Sequence, residues 1–148
     1  MSNNEKLPVL YRTLQDADKA FIFSSWLKNF RNGTMVRNIP NEIYYTNHHK
    51  VVEKLMDNAK TIVCCNADDP SIIYGYINYE IVDSQFVLHF VYIKQLYRKL
   101  GIAQDLLSAT GNDFNKLGCY THQTMVAVAK EESLNLVYHP YLLFSRGL

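Results

Sequence analysis

The middle of the chain constrains its fold most strongly, because three runs of strand-forming residues follow one another there with short polar breaks between them. The runs cover residues 61–65, 72–82 and 86–93 and are rich in β-branched and aromatic residues. Asp68-Asp69-Pro70 separates the first two runs and Asp83-Ser84 separates the last two, and both are typical turn sequences. Since strands joined by tight turns lie antiparallel, this region predicts an antiparallel meander.

Apolar residues at helical spacing precede the meander. After a short apolar stretch at 7–12, which predicts a first strand, apolar side chains recur every three or four residues and predict a helix over 14–30. Asn32-Gly33 is a typical helix end, and Pro40 suits the first turn of a second helix that reaches Asp57-Asn58. The sequence therefore predicts a strand and two helices before the meander.

A third helix follows the meander. Residues 101–117 carry an apolar face with spacings of three and four, and Gly118 is a typical helix C-terminal cap. A strand is predicted over 124–128, a short helical turn over 130–134 and a last extended segment over 141–144. Because strand–helix–strand connections are right-handed crossovers, the strands flanking the third helix should be parallel. The predicted order is β-α-α-β-β-β-α-β-(α)-β, an α/β fold with a mixed, α+β-like sheet in one domain over residues 1–148.

Composition excludes several classes of protein. The 15 Lys and Arg residues nearly balance the 14 Asp and Glu residues, which argues against nucleic-acid binding. Three cysteines make a poor disulfide framework, and the absence of Cys-x-x-Cys and His-x-x-x-His pairs argues against a metal. The polar first six residues are unlike a signal peptide, and no apolar run is long enough to span a membrane. A cytoplasmic protein without nucleic-acid or membrane partners is therefore expected, as a monomer or a homodimer.

The segment 87–107 carries the clearest chemical signal, because a strand runs through a cationic turn directly into a helix. Helix starts have main-chain N–H groups without intrahelical acceptors and so bind anions readily. Gly101 and Ala103 are small where a phosphate needs room, and Arg98 and Lys99 add positive charge. The segment therefore predicts a phosphate site. The alternative interpretation is a helix start that needs small residues for packing, and nucleotide binding on the same turn is a further alternative.

The pattern Arg98-x-x-Gly101-x-Ala103 resembles the Gln/Arg-x-x-Gly-x-Gly/Ala signature of the GNAT acetyltransferase superfamily, and the order of predicted elements extends the likeness over nearly the whole chain. The chain particularly resembles the short GNAT-like proteins of bacteriophages. The resemblance implies acetyl-CoA as co-substrate and no metal. It also implies that the pantetheine arm pairs with the main chain of Tyr92 and Ile93, where the sheet splays between strands 86–93 and 124–128. The pyrophosphate would be held by the main-chain amides of Arg98, Lys99, Leu100, Gly101, Ile102 and Ala103.

Catalytic residues are less clearly marked. The resemblance implies a tyrosine near the coenzyme sulfur as proton donor, for which Tyr138 is the first candidate and Tyr141 the second. His89 lies within an apolar strand, and a histidine is able to accept a proton at neutral pH, so it is the candidate base, with Glu80 in reserve. The alternatives are a hydrogen-bonded core histidine at 89 and a packing role for Tyr138.

Two details of this site are also predicted from the sequence. Strand alternation places Val87, His89, Val91 and Ile93 on one face of the sheet. His48 and His49 are possible lining residues of an acceptor pocket, although a solvated helix face also explains them.

The sequence thus predicts an enzyme that transfers the acetyl group of acetyl-CoA to an amine on a small molecule or protein, by direct attack in a ternary complex. The alternative is a catalytically silent module of the same fold that retains coenzyme A binding.

Overall fold

The structure is a computed structural model that describes residues 7–146. The polar start of the chain lies outside the described residues. The strands are β1 (Val9–Thr13), β2 (Lys60–Asn66), β3 (Ile73–Val82), β4 (Gln85–Ile93), β5 (Gly118–Tyr120) and β6 (Leu136–Tyr138). The helices are α1 (Lys19–Phe30), α2 (Asn41–Asn58), α3 (Ile102–Ala109) and α4 (Met125–Leu134), with 3₁₀ turns at Asp16–Asp18, Gln95–Tyr97 and Pro140–Arg146.

The six strands form one sheet in the order β1-β2-β3-β4-β5-β6. Strands β1 to β4 pair antiparallel, whereas β4–β5 and β5–β6 are parallel. The predicted antiparallel meander and the parallel crossover through α3 are both confirmed. The mixed α/β fold class is confirmed with them.

Two apolar clusters cover the sheet. The first packs α1 and α2 against the sheet through Ile22, Trp26 and Leu55, which are fully buried. The second packs α3 against the sheet, with Leu106 at its centre. Burying large aliphatic and aromatic side chains in this way is the main source of stability for such a fold. Among residues 7–146, no helix is both long and apolar enough to cross a membrane.

A β-bulge interrupts β4 at His89. Asn78 of β3 pairs with Phe90, but the next residue, Tyr79, pairs with Leu88, so that His89 is the extra residue on β4. A bulge of this kind shifts side-chain alternation by one position. Bulges are frequent next to functional sites, and this one lies at the end of the β4–β5 pairing.

The bulge makes the predicted shared face of β4 wrong. Val91 and Ile93 pack into the α3 cluster together with Phe86 and Leu88, which precede the bulge. Phe90 packs into the cluster of α1 and α2. Regular alternation would have placed Phe86, Leu88 and Phe90 on one face.

Other differences from prediction lie towards the C-terminus. The predicted strand at 124–128 is wrong: Thr124 accepts the main-chain N–H of Ala127 at 3.1 Å and thereby caps α4. The strand that follows α3 is β5, and Gly118 is its first residue rather than a helix cap. The helix predicted over 101–117 ends at Ala109, because Gly111 adopts a left-handed conformation with φ of 75°.

The last extended segment, predicted over 141–144, is a 3₁₀ turn, and the final strand is β6, which precedes it. The first predicted helix begins later than expected: residues 14 and 15 are not helical, and Asp16–Asp18 forms a separate 3₁₀ turn before α1. Asp18 in that turn is buried, forms an ion pair with the partly buried Arg12 at 2.6 Å and accepts the N–H of Gln15.

Candidate active site

A cleft opens where β4 and β5 part. The two strands pair at Val87↔Cys119 and Leu88↔Tyr120, and the N–H of Thr121 donates to the Leu88 carbonyl at 3.1 Å. Beyond this point the bulge carries β4 away, and no strand among the described residues pairs with this edge of β4. The structure thus has a wedge-shaped opening, the β4–β5 cleft, with its vertex at His89 and Thr121.

The cleft contains a cavity of about 300 Å³. Most of its walls are apolar side chains of β4, α3 and α4. Near the vertex, His89, His122 and Tyr120 contribute polar groups to the lining. Such a cavity, apolar with a few convergent polar groups, is typical of small-molecule sites. The residues lining it are Leu88, His89, Phe90, Val91, Ala103, Gln104, Leu107, Tyr120, His122, Thr124, Val126, Ala127, Lys130, Ser133 and Leu134.

The predicted anion site lies at the start of α3, and α3 also contributes to the cleft wall. Gly101 has a φ of 83°, a left-handed conformation that favours glycine. A Cβ built at Gly101 would meet no atom within 4 Å, so the space beside this residue is open to a ligand. The first intrahelical bond here runs from the N–H of Asp105 to the Gly101 carbonyl, which leaves the preceding N–H groups without helical acceptors. The residues at 98–103 therefore fit a diphosphate.

Arg98 has a structural role that the motif did not reveal. Its Nε donates to the Ile93 carbonyl at 2.9 Å, and its guanidinium lies 5.9 Å from the centre of the Tyr92 ring. These contacts fasten the turn to the end of β4. The Ile93 carbonyl, one of the main-chain groups expected to pair with a pantetheine arm, therefore already accepts one hydrogen bond.

The two acid–base candidates on the sheet lie in direct contact. Nε2 of His89 is 2.6 Å from Oε2 of Glu80, and its Nδ1 is 2.8 Å from the hydroxyl of Thr121. The contacts continue: the Thr121 hydroxyl is 2.9 Å from Nδ1 of His122, and Nε2 of His122 is 2.8 Å from Nε2 of His48. We call these five residues the histidine network. Three of its members, His48, Thr121 and His122, were not candidate catalytic residues in the sequence.

The histidine network is buried. Thr121, His89 and His122 are at most 3% exposed, and the two ends, Glu80 and His48, are each 7% exposed. Aromatic rings enclose it: His122 packs between Trp26 and Phe30, at centroid distances of 5.2 and 4.5 Å.

Burial keeps the imidazoles neutral. It lowers the pKa of His89 to about 3 and that of His48 to about 4. The Glu80 carboxylate opposes this effect at His89, but the near-complete loss of hydration prevails. Burial, followed by repulsion from His48 and His89, holds the pKa of His122 well below its usual value. All three rings are therefore uncharged at neutral pH.

Tyr138, the predicted proton donor, lies on β6 and is not among the residues lining the cavity. Its ring packs against Tyr120, which does line the cavity, at a centroid distance of 5.4 Å. The Tyr120 hydroxyl donates to the Glu131 carboxylate and accepts the Gln123 amide at 3.1 Å. Burial and the bond to Glu131 raise the pKa of Tyr120 to about 12, so the hydroxyl keeps its proton.

Tyr120, which ends β5, and Thr121 and His122, which follow it, escaped prediction because this strand has three residues. A polar run directly after a strand that follows a crossover helix is the signal that marks them, since ligands bind at the carboxyl ends of such strands. Within the described residues, no group of three or more His, Cys, Asp or Glu side chains is arranged to hold a metal ion.

The fold places the protein among α/β proteins whose mixed sheet is split between two parallel strands. No protein-family model and no curated protein matches the sequence. Solved structures do match: a provisionally assigned acetyltransferase of Deinococcus radiodurans R1 aligns with a TM-score of 0.51 at 15% identity, over 94% of this chain and 89% of that one. A provisionally assigned GNAT family acetyltransferase of Staphylococcus aureus aligns with a TM-score of 0.51 at 17% identity, over 68% of this chain and 86% of that one.

The chain therefore has the fold of GNAT acetyltransferases, as the sequence motif predicted. At these identities the likeness establishes the fold alone.

Proposed function

We propose that the protein is an acetyltransferase that moves the acetyl group of acetyl-CoA to an amine acceptor in a ternary complex. The observation that carries this proposal is the β4–β5 cleft, which joins the start of α3 to the buried polar vertex at His89 and Thr121. A cleft of this form suits a ligand with a diphosphate at one end and a reactive group at the other.

Each part of the cleft has a role in this proposal. Main-chain amides of residues 98–103 bind the pyrophosphate, and the unpaired edge of β4 orients the pantetheine arm towards the vertex. Acetyl-CoA supplies an activated thioester when bound. The apolar walls from Leu107, Val126 and Leu134 exclude water and so limit hydrolysis.

The reaction forms a C–N bond to the acetyl carbon and breaks its C–S bond. The attacking amine must lose one proton. The Glu80–His89 pair is placed to receive it through the groups bonded to it, because both nitrogens of His89 are hydrogen-bonded. Coenzyme A leaves as a thiolate, whose pKa near ~8.5 makes protonation helpful but not essential. Tyr120, rather than the predicted Tyr138, is our candidate donor, because its hydroxyl borders the cavity and retains its proton.

Two glycines provide a matched test of coenzyme binding. Gly101 and Gly111 lie at opposite ends of α3, both have a left-handed φ, and a Cβ at either would meet no atom within 4 Å. The variants Gly101→Val and Gly111→Val therefore suffer similar backbone strain, but only the first fills the proposed pyrophosphate site. We expect Gly101→Val to weaken coenzyme A binding in calorimetry by at least ~10-fold, about the loss of one charge-assisted contact. Gly111→Val should bind like wild type, and equal affinities for the two variants would contradict the proposal.

A silent coenzyme A-binding module is the second candidate function. It is favoured by the fact that both nitrogens of His89 are already hydrogen-bonded, which leaves this residue no free site for a substrate proton. Incubation with acetyl-CoA, a thiol reagent and a panel of amines separates the two candidates. Acceptor-dependent thiol release identifies the enzyme, whereas coenzyme binding without release for any acceptor identifies the module.

A further inference from the structure

We propose that the histidine network is a proton relay, which takes up the proton lost by the acceptor amine at His48 and stores it on Glu80. This inference rests on the proposed function. It assigns positioning roles to Thr121 and His122, which transmit the proton between the two ends.

The first support is continuity. Four hydrogen bonds of 2.6–2.9 Å join the five side chains without a break. The members come from α2, β3, β4 and the segment after β5, so the tertiary fold assembles the network. Because its central members are almost fully buried, bulk water is poorly placed to replace any of these bonds.

The second support is that the network has two self-consistent states. When Glu80 is ionised, Nε2–H of His89 must donate to it, so Nδ1 of His89 accepts from the Thr121 hydroxyl. The hydroxyl then accepts from Nδ1–H of His122, whose Nε2 accepts from Nε2–H of His48. With neutral imidazoles, the single alternative has Glu80 protonated and all four bonds reversed.

These two states differ by one proton, and the transfers between them balance. A proton added to Nδ1 of His48 releases the proton on Nε2 to His122. His122 passes its Nδ1 proton to the Thr121 oxygen, and Thr121 passes its own to Nδ1 of His89. His89 then gives its Nε2 proton to Glu80, and every imidazole is again neutral. The reverse sequence returns the proton to solvent after the product leaves.

The entry point follows from the bonding pattern. Of the six imidazole nitrogens in the network, Nδ1 of His48 is the one that no other member engages. A substrate proton therefore enters there, directly or through a water molecule. Because His48 lies on α2 and is not among the residues lining the cavity, this entry point places the acceptor amine on the α2 side of the vertex, whereas His89 and His122 border the cleft.

The surroundings favour storage at Glu80 over storage on an imidazole. The titratable and charged groups near the His48 end are Tyr44, whose ring stacks on His48 at 5.4 Å, and Arg31, whose guanidinium lies 4.7 Å from the Tyr44 ring centre. At the sheet end, Glu80 is the group that faces His89. Burial disfavours imidazolium at all three histidines, so the proton passes through them without resting there.

Nitrogen-15 NMR of the histidine rings in the whole protein, without substrate, tests the relay independently of activity. We expect Nε2–H on His89, Nδ1–H on His122 and Nε2–H on His48 at neutral pH. As the pH is lowered and the network takes up its proton, the three tautomers should change together, with one shared midpoint pH. A different tautomer at His122, or separate midpoints for the three rings, would overturn the relay.

Kinetics of Thr121→Val test the relay in catalysis, because valine keeps the shape of threonine but removes the central hydroxyl. We expect kcat to fall by about 100-fold, the usual scale for lost acid–base assistance, with an unchanged KM for acetyl-CoA. Thr121→Ser should restore most of the rate. The matched control is Thr61→Val, which also removes a buried hydroxyl, one that binds Asn78 outside the network.

The outcomes separate the two hypotheses. If amines are acetylated and Thr121→Val turns over like Thr61→Val, the relay is wrong and the proposed function stands. If no amine is acetylated but the three tautomers change together, the network conducts a proton and the proposed function fails. If Thr121→Val does not fold, the serine variant and the NMR pattern of the wild-type protein still decide.

Discussion

The two halves of the sheet are built in different ways, and the candidate site lies where they meet. Strands β1 to β4 pair over long antiparallel registers, from Gly75↔Ile93 to Val82↔Gln85 in the case of β3 and β4. Strands β5 and β6 are three residues each and pair parallel. The long strands provide a rigid scaffold, whereas the short ones leave the edge of β4 open after two pairs. The cleft is therefore a consequence of the short pairing between β4 and β5, where the two parts of the sheet meet.

We expect the largest difference between the two parts of the sheet when a methyl group is added to one glycine in each. A Cβ at Gly75 would lie 2.5 Å from the Tyr92 carbonyl oxygen, so main chain must move. A Cβ at Gly118 would lie 3.0 Å from the Phe86 oxygen and from the Leu136 side chain. We expect Gly75→Ala to lower the free energy of unfolding by ~3 kcal/mol or more and Gly118→Ala by ~1 kcal/mol, measured by urea denaturation. Equal losses would mean that the two halves are equally constrained.

Acid should lower the free energy of unfolding through the buried histidines of the histidine network. An unfolded histidine has a pKa near 6.5, while His48 and His89 in the folded protein have values of about 4 and 3. The unfolded chain therefore binds more protons, so this stability is complete above pH 6.5 and is lost as the pH falls towards the folded values. Each such histidine contributes a slope of up to ~1.4 kcal/mol per pH unit.

His48→Gln and its neighbour His49→Gln form a matched pair for this effect, because His48 is buried and His49 is exposed. We expect the free energy of unfolding of His48→Gln to depend less steeply on pH, by up to ~1.4 kcal/mol per unit. His49→Gln should keep the wild-type slope. Urea titrations at several pH values measure both, and parallel slopes for wild type and His48→Gln would contradict the pKa assignment.

A smaller effect, on kcat, should distinguish Tyr120 on β5 from Tyr138 on β6. Removing the Tyr120 hydroxyl by Tyr120→Phe should lower kcat by ~10-fold, since thiolate departure needs only modest assistance. Tyr138→Phe, which keeps the ring that packs on Tyr120, should change kcat little. Steady-state rates at saturating acetyl-CoA measure both variants. A larger loss for Tyr138→Phe would restore the donor that the sequence predicted.

The difference between the halves also explains what was predictable from sequence. The strand-forming runs in 61–93 and the helical spacings of the first two helices are local patterns, and the structure confirms the strands and helices that they predict. The start of α3 was also predictable, because Gly101 adopts the left-handed conformation that its position requires.

The C-terminal half depended on contacts that no local pattern reveals. Met125, Val126 and Val128 have strand-forming composition, but the Thr124 cap starts a helix there. The bulge at His89 is set by pairing with β3, so the single face predicted for Val87, His89, Val91 and Ile93 is wrong. His89 and Glu80 were candidate residues, but their connection to His48 depends on distant partners. Thr121 lies 32 positions from His89, and His122 lies 74 positions from His48.

A crystal structure with coenzyme A bound tests the central claim most directly. The account predicts the pyrophosphate on the main-chain amides of residues 98–103 and the coenzyme sulfur in the opening between His89 and Thr121. A complex that leaves the start of α3 empty, or that directs the sulfur away from this vertex, would contradict it.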